Sequence, residues 1–490
     1  MVDGNPLTTA LAASTSQSEA AGGTGVDSTL TTATAYYNAS ASSVRVVLGV
    51  QDTAKGAAVA THNATLNVTG WDTLWVTGLS NVPDFNAAFA MGYLEGFLTH
   101  ESIWATKRNE FHDFWDNKTS GATEPSPIAQ WLADNLSFMR AQVNSSSPVA
   151  APAGFWPAVK LLLAQFDGLI AGYAAGAKPY GPGRALSEAD WLVMQANGDI
   201  ETLMDMWPAA QTPWLRTRAR NYRCSALFKL APRGDDVFFG HTTWDDFSMM
   251  VRSLKTYRYD LAPGSVLPSG ATVSMSSSPG WISSVDDFYL TSPGGLGVIE
   301  TTNGVYNNSL FGAVTTDTVP SWARVMVANL LASNTTEWAA LFSALNSGTY
   351  NNQWMVLDTK LVPADAPANG KPSLPPNTFY VLEQIPGLVV GADQTATLVR
   401  EGYWGSYNIP FYPRIYNLSG FAAQHRAHRR GPHRGNGWSH GACARANIFR
   451  ARQGGVRDVR GAARLLRYND WRHDPDSLAR QSSAEHLIAT

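Results

Sequence analysis

The sequence predicts an α+β fold in which two antiparallel sheets stack face to face and helices cover them. Three observations carry this. Strand-like runs, then helical periodicities, then strands, helices and strands again follow one another along 490 residues, an order that suits stacked layers. Residues 224–241 form one tight hairpin. A composition of 44% hydrophobic and 15% charged residues supplies a sizeable core.

Residues 1–30 are Ala, Ser, Thr and Gly with almost no large apolar groups, and read as disordered. From Ser43, the runs Val44–Val50, Ala57–Ala60, Ala64–Val68 and Leu74–Val76 read as antiparallel strands between Gly, Asn and Asp turns. A helix follows, because Phe85, Phe89, Tyr93 and Phe97 fall at successive i+4 positions after Pro83-Asp84 and form one aromatic stripe, read as core. His100-Glu101 lies in this helix. Trp104 stands where a zinc protease needs its second His, so that motif fails. Helical patterns then cover 128–142, 157–175 and 187–205, and Trp207-Pro208 breaks the last.

The hairpin is the centre of the chain. Cys224–Leu230 and Val237–His241 are rich in aromatic and branched residues, and Pro232-Arg-Gly-Asp-Asp236 between them is turn chemistry, with Gly234 free to take positive φ. Folding about 232–234 brings His241 opposite Cys224 or a residue two away, on the same face. Thiol and imidazole then share one end of one sheet. Just before them, Arg216–Arg223 is polar and Arg-rich, an exposed and cleavable loop. A cut at Arg223-Cys224 makes Cys224 an N-terminal residue.

After the hairpin, 281–290 and 295–302 read as paired strands about a turn at 292–295. Pro320 opens a helix to about Ser333, and Thr335 or Thr336 caps another that ends at Gly348. Strands return at Trp354–Leu357 and Phe379–Ile385, the latter closed by Pro386-Gly387. Residues 421–442 break the pattern. They carry four Arg and four His with no hydrophobic period, and read as a frame-shifted or mis-spliced stretch.

Several ordered motifs resemble the phospholipase B-like proteins, a group of lysosomal or secreted N-terminal-nucleophile hydrolases. These are Arg223-Cys-Ser-Ala-Leu-Phe-Lys229, Gly240-His-Thr-Thr-Trp244, Ser278-Pro-Gly280 with Asp286-Asp-Phe-Tyr-Leu290, Glu300-Thr-Thr-Asn303, and Ser406-Tyr-Asn-Ile-Pro410 with Arg414–Gly420. The resemblance runs from about residue 35 to 420 and resumes at 443–477. It implies an αββα sandwich. It divides the chain into a disordered 1–30, an N-terminal fragment 31–223, a nucleophile-bearing fragment 224–420 and an irregular, truncated 421–490.

The chemistry this implies is self-cleavage followed by acyl hydrolysis. The Cys224 thiol attacks the Arg223 carbonyl to give a thioester, water opens it, and the freed α-amine, with an ordinary pKa near 7.7–8, acts as local base. The thiolate then attacks an ester or amide carbonyl of a phospholipid or N-acyl lipid, and water hydrolyses the acyl-enzyme. No cofactor or metal is required. Asn303 and Asn408 are the expected oxyanion donors, since side-chain amides supply N–H groups without charge. His241 is expected to orient the carbonyl or assist proton transfer, and Trp244 to wall the pocket; the cleaved fragments stay associated in a shared core. The alternative is an inactive lipid-binding or structural relative that keeps the fold.

Other motifs carry less. Gly437-Trp-Ser-His-Gly441 matches the G-x-S-x-G elbow, but an Arg/His tract precedes it where a buried strand is needed. The same tract's histidines, His425, His428, His433 and His440, are interleaved with Arg, which repels metal cations. The tract lacks the interleaved aromatics of a nucleic-acid site, and net charge is −3. Cys224 and Cys443 are the only cysteines, so no disulfide framework can be claimed. Sequons at Asn38, Asn63, Asn67, Asn117, Asn135, Asn144, Asn307, Asn334 and Asn417 favour a secretory, lysosomal or secreted protein, although the first residues show no signal peptide. No run approaches 18 apolar residues, so no membrane span is expected.

Overall fold

The computed structural model describes residues 30–111, 126–208, 223–245, 247–365, 372–424, 443–452 and 455–458. Along the chain run β1 (Leu30–Asn38), β2 (Ser43–Leu48), β3 (Ala58–Asn63), β4 (Asp72–Leu79), β5 (Arg223–Leu230), β6 (Val237–Asp245), β7 (Ser253–Asp260) and β8 (Ala271–Ser277). They are followed by β9 (Phe288–Ser292), β10 (Leu296–Thr302), β11 (Asn352–Asp358), β12 (Phe379–Ile385), β13 (Leu388–Asp393), β14 (Tyr403–Ser406), β15 (Cys443–Arg452) and β16 (Gly455–Asp458). The larger sheet has the order β13-β12-β11-β10-β9-β8-β7-β4-β3-β1-β2, the smaller β14-β5-β6-β15-β16.

The larger sheet is mixed, not antiparallel throughout as expected. Strand β4 runs parallel to β7, from Asp72 opposite Ser253 to Leu79 opposite Asp260. The long intervening chain of helices supplies the crossover that a parallel pair requires. This pair also joins the stretch before Arg223 to the stretch after it in one sheet.

The sheets pack through an aromatic layer. Phe228 and Phe239 of the smaller sheet stack at 5.3 Å, Phe239 stacks on Phe288 at 5.5 Å, and Phe228 meets Phe379 at 4.8 Å. Ile299, Met355, Leu357 and Val381 complete this core. Helices pack on the other face of the larger sheet, around Leu74, Val76, Val298 and Val356. The short helix Thr395–Glu401 packs against β14 and β5. Layered sheets and helices therefore stand as predicted.

The expected aromatic stripe forms a helix, Asp84–Leu98, but is not its core face. Phe85 is exposed and Phe89, Tyr93 and Phe97 are half-buried, while Ala88, Met91, Gly92 and Gly96 are buried. The reason is backbone contact with the helix Phe155–Ala177. A Cβ on Gly92 would lie 1.8 Å from Gln165 O, and one on Gly168 would lie 1.9 Å from Phe89 O. Large side chains cannot occupy that seam. The stretch Phe155–Tyr180 is long and apolar enough to cross a membrane, but 67% of its most apolar window is buried inside the fold.

Other elements differ locally. Strand β1 begins where disorder was expected to end, and Leu66–Thr69 is a short helix instead of part of a strand. The helix expected over 187–205 is two, Glu188–Gln195 and Asn197–Met206. Asn334, not Thr335 or Thr336, caps the helix Thr335–Ser343, accepting Glu337 N–H. The cleavable loop up to Tyr222, residues 1–29, and the Arg/His tract over 425–442 lie outside the described residues. Cys443–Arg452, expected in an irregular segment, is a strand beside β6, with Asn447 opposite His241.

Candidate active site

The hairpin is built as its sequence dictates. Gly234 has φ +73°, its N–H donates to Ala231 O at 2.8 Å, and Ala231 N–H donates to Asp236 O at 2.8 Å, closing the turn. This register sets Ala226 opposite His241 and Cys224 opposite Thr243. Ala226, Phe228, Val237 and Phe239 face the larger sheet, so strand alternation puts Cys224, His241 and Thr243 on that same inner face. All three are buried. Trp244 alternates to the outer face, where it is half-exposed, so it does not wall a pocket beside Cys224. A two-residue periodicity overrules the expectation.

Asn408 ties the Cys224 strand to the larger sheet. Its Oδ1 accepts Cys224 N–H at 2.9 Å, and its Nδ2 donates to Thr302 O at 2.8 Å. Asn408 has φ +63°, a left-handed backbone that Asn tolerates. Thr301 Oγ1 and Ser406 Oγ, 2.5 Å apart, make a second tie between the same segments. The expected oxyanion role of Asn408 is thereby narrowed. Its carbonyl faces the Cys224 nitrogen and one amide proton is committed to Thr302, which leaves one proton for the expected role.

Asn303 follows directly. It is buried, and its N–H donates to Asn351 O at 2.7 Å. Its amide lies beside the Glu383 carboxyl. Glu383 in turn accepts Phe411 N–H at 2.6 Å, Tyr412 N–H at 2.9 Å and Gln353 Nε2–H at 2.6 Å. It anchors the loop that carries Asn408.

An acidic cluster that sequence reasoning did not name completes the site. One ligand atom each of Cys224, His241 and Glu300 lies within 4.8 Å of the others. Tyr350 Oη donates to Asp287 Oδ2 and lies 3.3 Å from Glu300 Oε1. Burial pushes the Asp287 carboxyl up to about 7, against hydrogen bonds from Glu300, Tyr350 and Tyr289. Burial, with Asp287 beside it, pushes Glu300 well above the carboxylate range. The available signal was Glu300 itself, a charged residue inside the apolar run Leu296-Gly-Val-Ile.

Electrostatics keep the thiol quiet in the intact chain. Burial first, then Glu300, Asp287 and Asp245, push the Cys224 thiol well above its ordinary value, against a backbone contribution from Thr302. Burial pushes His241 down to about 3, so its imidazole is neutral. Thr243 Oγ1 lies 3.4 Å from its Nδ1, its Nε2 completes no well-formed hydrogen bond, and the Glu300 backbone beside the ring opposes the effect of burial. A neutral imidazole of this kind is a hydrogen-bonding group and a poor base. A small cavity, with room for about one water, shares Asp287 and Tyr350 with this cluster, but its walls do not include Cys224.

The sequons divide by exposure. Asn38, Asn67, Asn144 and Asn417 are exposed, Asn63, Asn307 and Asn334 are half-buried, and Asn117 lies outside the described residues. Asn135 is the exception. It is buried, and its Nδ2 donates to Thr316 O at 2.8 Å and to Thr318 O at 2.9 Å. Both amide protons are used, so this fold has no place for a glycan there.

A family profile for Phospholipase B matches residues 58–489. The chain is similar to Phospholipase B-like 1 of Bos taurus, 34% identical over 464 residues that cover 91% of this chain and 78% of that protein. It is similar to Phospholipase B-like protein G of Dictyostelium discoideum, 34% identical over 439 residues covering 84% of this chain and 70% of the relative. Putative phospholipase B-like 2 of Mus musculus is 34% identical over 446 residues, 88% of this chain and 71% of that protein. With a profile match across most of its length and relatives at this identity, the chain belongs to the Phospholipase B family.

Proposed function

We propose that the chain is an acyl hydrolase that cuts ester or amide bonds of phospholipids or related N-acyl lipids, through Cys224 exposed as an N-terminal nucleophile. The observation that carries this is the bond from Cys224 N–H to Asn408 Oδ1. It holds the one nitrogen that cleavage at Arg223-Cys224 would turn into an α-amine. Family membership supports the hydrolase class, and the names of the relatives support a lipid substrate.

In cleavage, Cys224 Sγ adds to the Arg223 carbonyl, the Arg223-Cys224 C–N bond breaks, and the nitrogen keeps its own proton and takes up the one lost from the thiol, leaving as an amine as the thioester forms. Water then breaks the thioester to give the Arg223 carboxylate, the free thiol and the free amine. In turnover the amine takes the thiol proton and Sγ adds to the substrate carbonyl. The leaving alcohol or amine departs with a proton, and water releases the fatty acid. The second amide proton of Asn408 and the buried Asn303 amide beside Glu383 serve the oxyanion, while His241, neutral, orients the carbonyl. The two fragments stay together because β4 and β7 pair across the cut. The sequons favour a lysosomal or secreted location.

Acid incubation, denaturing gels and N-terminal sequencing test cleavage, and a panel of phospholipids, N-acylethanolamines and peptides tests substrate. A new N-terminus at Cys224 and fatty-acid release are expected. Cys224→Ala should block both, while Cys224→Ser slows cleavage because a hydroxyl is the weaker nucleophile. A chain that stays whole, or cuts peptides alone, overturns the reading. One observation favours an inactive lipid-binding relative: the buried thiol is held protonated. A mature Cys224 that thiol reagents do not label faster than Cys443 would select that alternative.

A further inference from the structure

We propose that Cys224, His241 and Glu300 form a binding site for one thiophilic divalent cation of the zinc class, whose occupation withdraws the Cys224 sulfur from acyl chemistry. The geometry comes first. One ligand atom from each residue lies within 4.8 Å of the other two. Tetrahedral zinc, with bonds of about 2.0–2.3 Å, spaces its donors roughly 3.3–3.8 Å apart, so the three close on an ion by movements of about 1 Å.

The donors are also available. His241 Nε2 and Glu300 Oε2 are buried and complete no well-formed hydrogen bond, although buried polar atoms are ordinarily paired; the Asp287 carboxyl beside Glu300 is the group an ion would compete with. Cys224, His241 and Glu300 are 7%, 1% and 0% exposed, so the site excludes most competing water. Charge balances as well. One thiolate and one carboxylate neutralise a dication while the imidazole contributes no charge, and the thiol and carboxyl protons leave to solvent. Supporting groups stand behind two ligands: Thr243 Oγ1 is 3.4 Å from His241 Nδ1, and Tyr350 Oη is 3.3 Å from Glu300 Oε1. Such partners fix ligand orientation. The fourth position is left to water.

All three donors are side chains, so the site goes beyond the hydrolase reading and exists in the uncleaved chain. Cobalt(II) is the probe, because it takes zinc sites and reports a thiolate ligand through a sulfur-to-metal charge-transfer band. Titration of the full chain should saturate that band at one equivalent, and zinc should displace it. Zinc should also slow thiol labelling at Cys224, read by peptide mapping against Cys443, by on the order of tenfold or more. Cys224→Ala and Cys224→Ser should each abolish the band. Glu300→Gln should weaken cobalt binding by about tenfold or more while keeping the parental circular-dichroism spectrum, which shows that the fold is intact. Absence of the band at saturating cobalt, its survival in both Cys224 variants, or unaltered binding by Glu300→Gln overturns the site. A chain that cleaves and hydrolyses lipid without the band loses this inference alone. One that binds cobalt but never cleaves loses only the hydrolase reading.

Discussion

Asn408 Oδ1 accepts the backbone N–H of Cys224 at 2.9 Å, while Asn408 Nδ2 donates to Thr302 O at 2.8 Å. A backbone N–H only donates and a carbonyl only accepts, so these partners fix which way the amide points. The side chain therefore joins the end of β10 to the first residues of β5. The proposed cleavage before Cys224 would change only the donor of this bond, from an amide N–H to an amine.

Asn408→Gly tests that positioning directly. Glycine keeps the left-handed backbone at φ +63° without strain, so the variant removes the amide and little else. Acyl hydrolysis should lose about 100-fold in kcat, the scale of a lost polar group at a reacting centre, with KM little changed. A variant with parental kcat would show that Asn408 positions nothing.

The seam between the helices Asp84–Leu98 and Phe155–Ala177 gives a stability prediction in which two effects oppose. Alanine gains about 1 kcal/mol over glycine in a helix. At Gly92, however, the added Cβ would sit 1.8 Å from Gln165 O and 2.7 Å from Leu169 N. Forcing packed backbones apart costs roughly 1–3 kcal/mol or more, so Gly92→Ala should lower the urea midpoint. An unchanged or raised midpoint would mean that the helices part freely.

Glycan mapping separates the sequons. In protein made through a secretory pathway, peptide mass spectrometry should find Asn38, Asn67, Asn144 and Asn417 as the accessible acceptors and Asn135 unoccupied. The Asn135 amide is committed to Thr316 O and Thr318 O, and replacing those buried bonds costs on the order of 1–3 kcal/mol. Full occupancy at Asn135 in folded, secreted protein would contradict this packing.

What the sequence displays and what it hides follow from the range of the interactions. Period-two alternation and turn chemistry are local, so the hairpin, its register and the shared face of Cys224 and His241 are legible from residues 224–241 alone. The same alternation turns Trp244 outward, a conclusion that the hairpin reading contained and that the pocket expectation overrode. Glu300, Asp287 and Tyr350 meet across three separate segments, and no local period records that. The Gly92 seam is hidden for a related reason: aromatic spacing signals a helix, but which face is buried depends on a partner some 70 residues away along the chain. Likewise, β4 pairs with β7 across a long intervening stretch of chain.

Glu383 predicts how stability depends on pH. It lies under the Asn408 loop, where burial pushes its carboxyl up to about 7 against the hydrogen bonds from Phe411 N–H, Gln353 and Tyr412 N–H. In the unfolded chain a Glu titrates near 4.3. Between these values the folded state binds more protons than the unfolded state, so stability is full below about pH 4 and falls as pH rises through about 7. Across that window the contribution is on the order of 3 kcal/mol. Tyr412, a phenol beside it, is pushed up to about 12 and stays neutral there. Asp287, pushed up to about 7 as well, adds a slope of the same sign, so the variant and not the parent isolates the Glu383 share. Glu383→Gln removes a titrating group but turns an NH₂ toward one of its backbone donors, which costs about 1–3 kcal/mol. The variant should therefore melt below the parent near pH 4.5 and close to it near pH 7.5, and its two Tm curves should converge as the parent loses its advantage. Parallel curves across that range would mean that Glu383 does not titrate in the window, and that the loop holding Asn408 is anchored by something other than a protonated carboxyl.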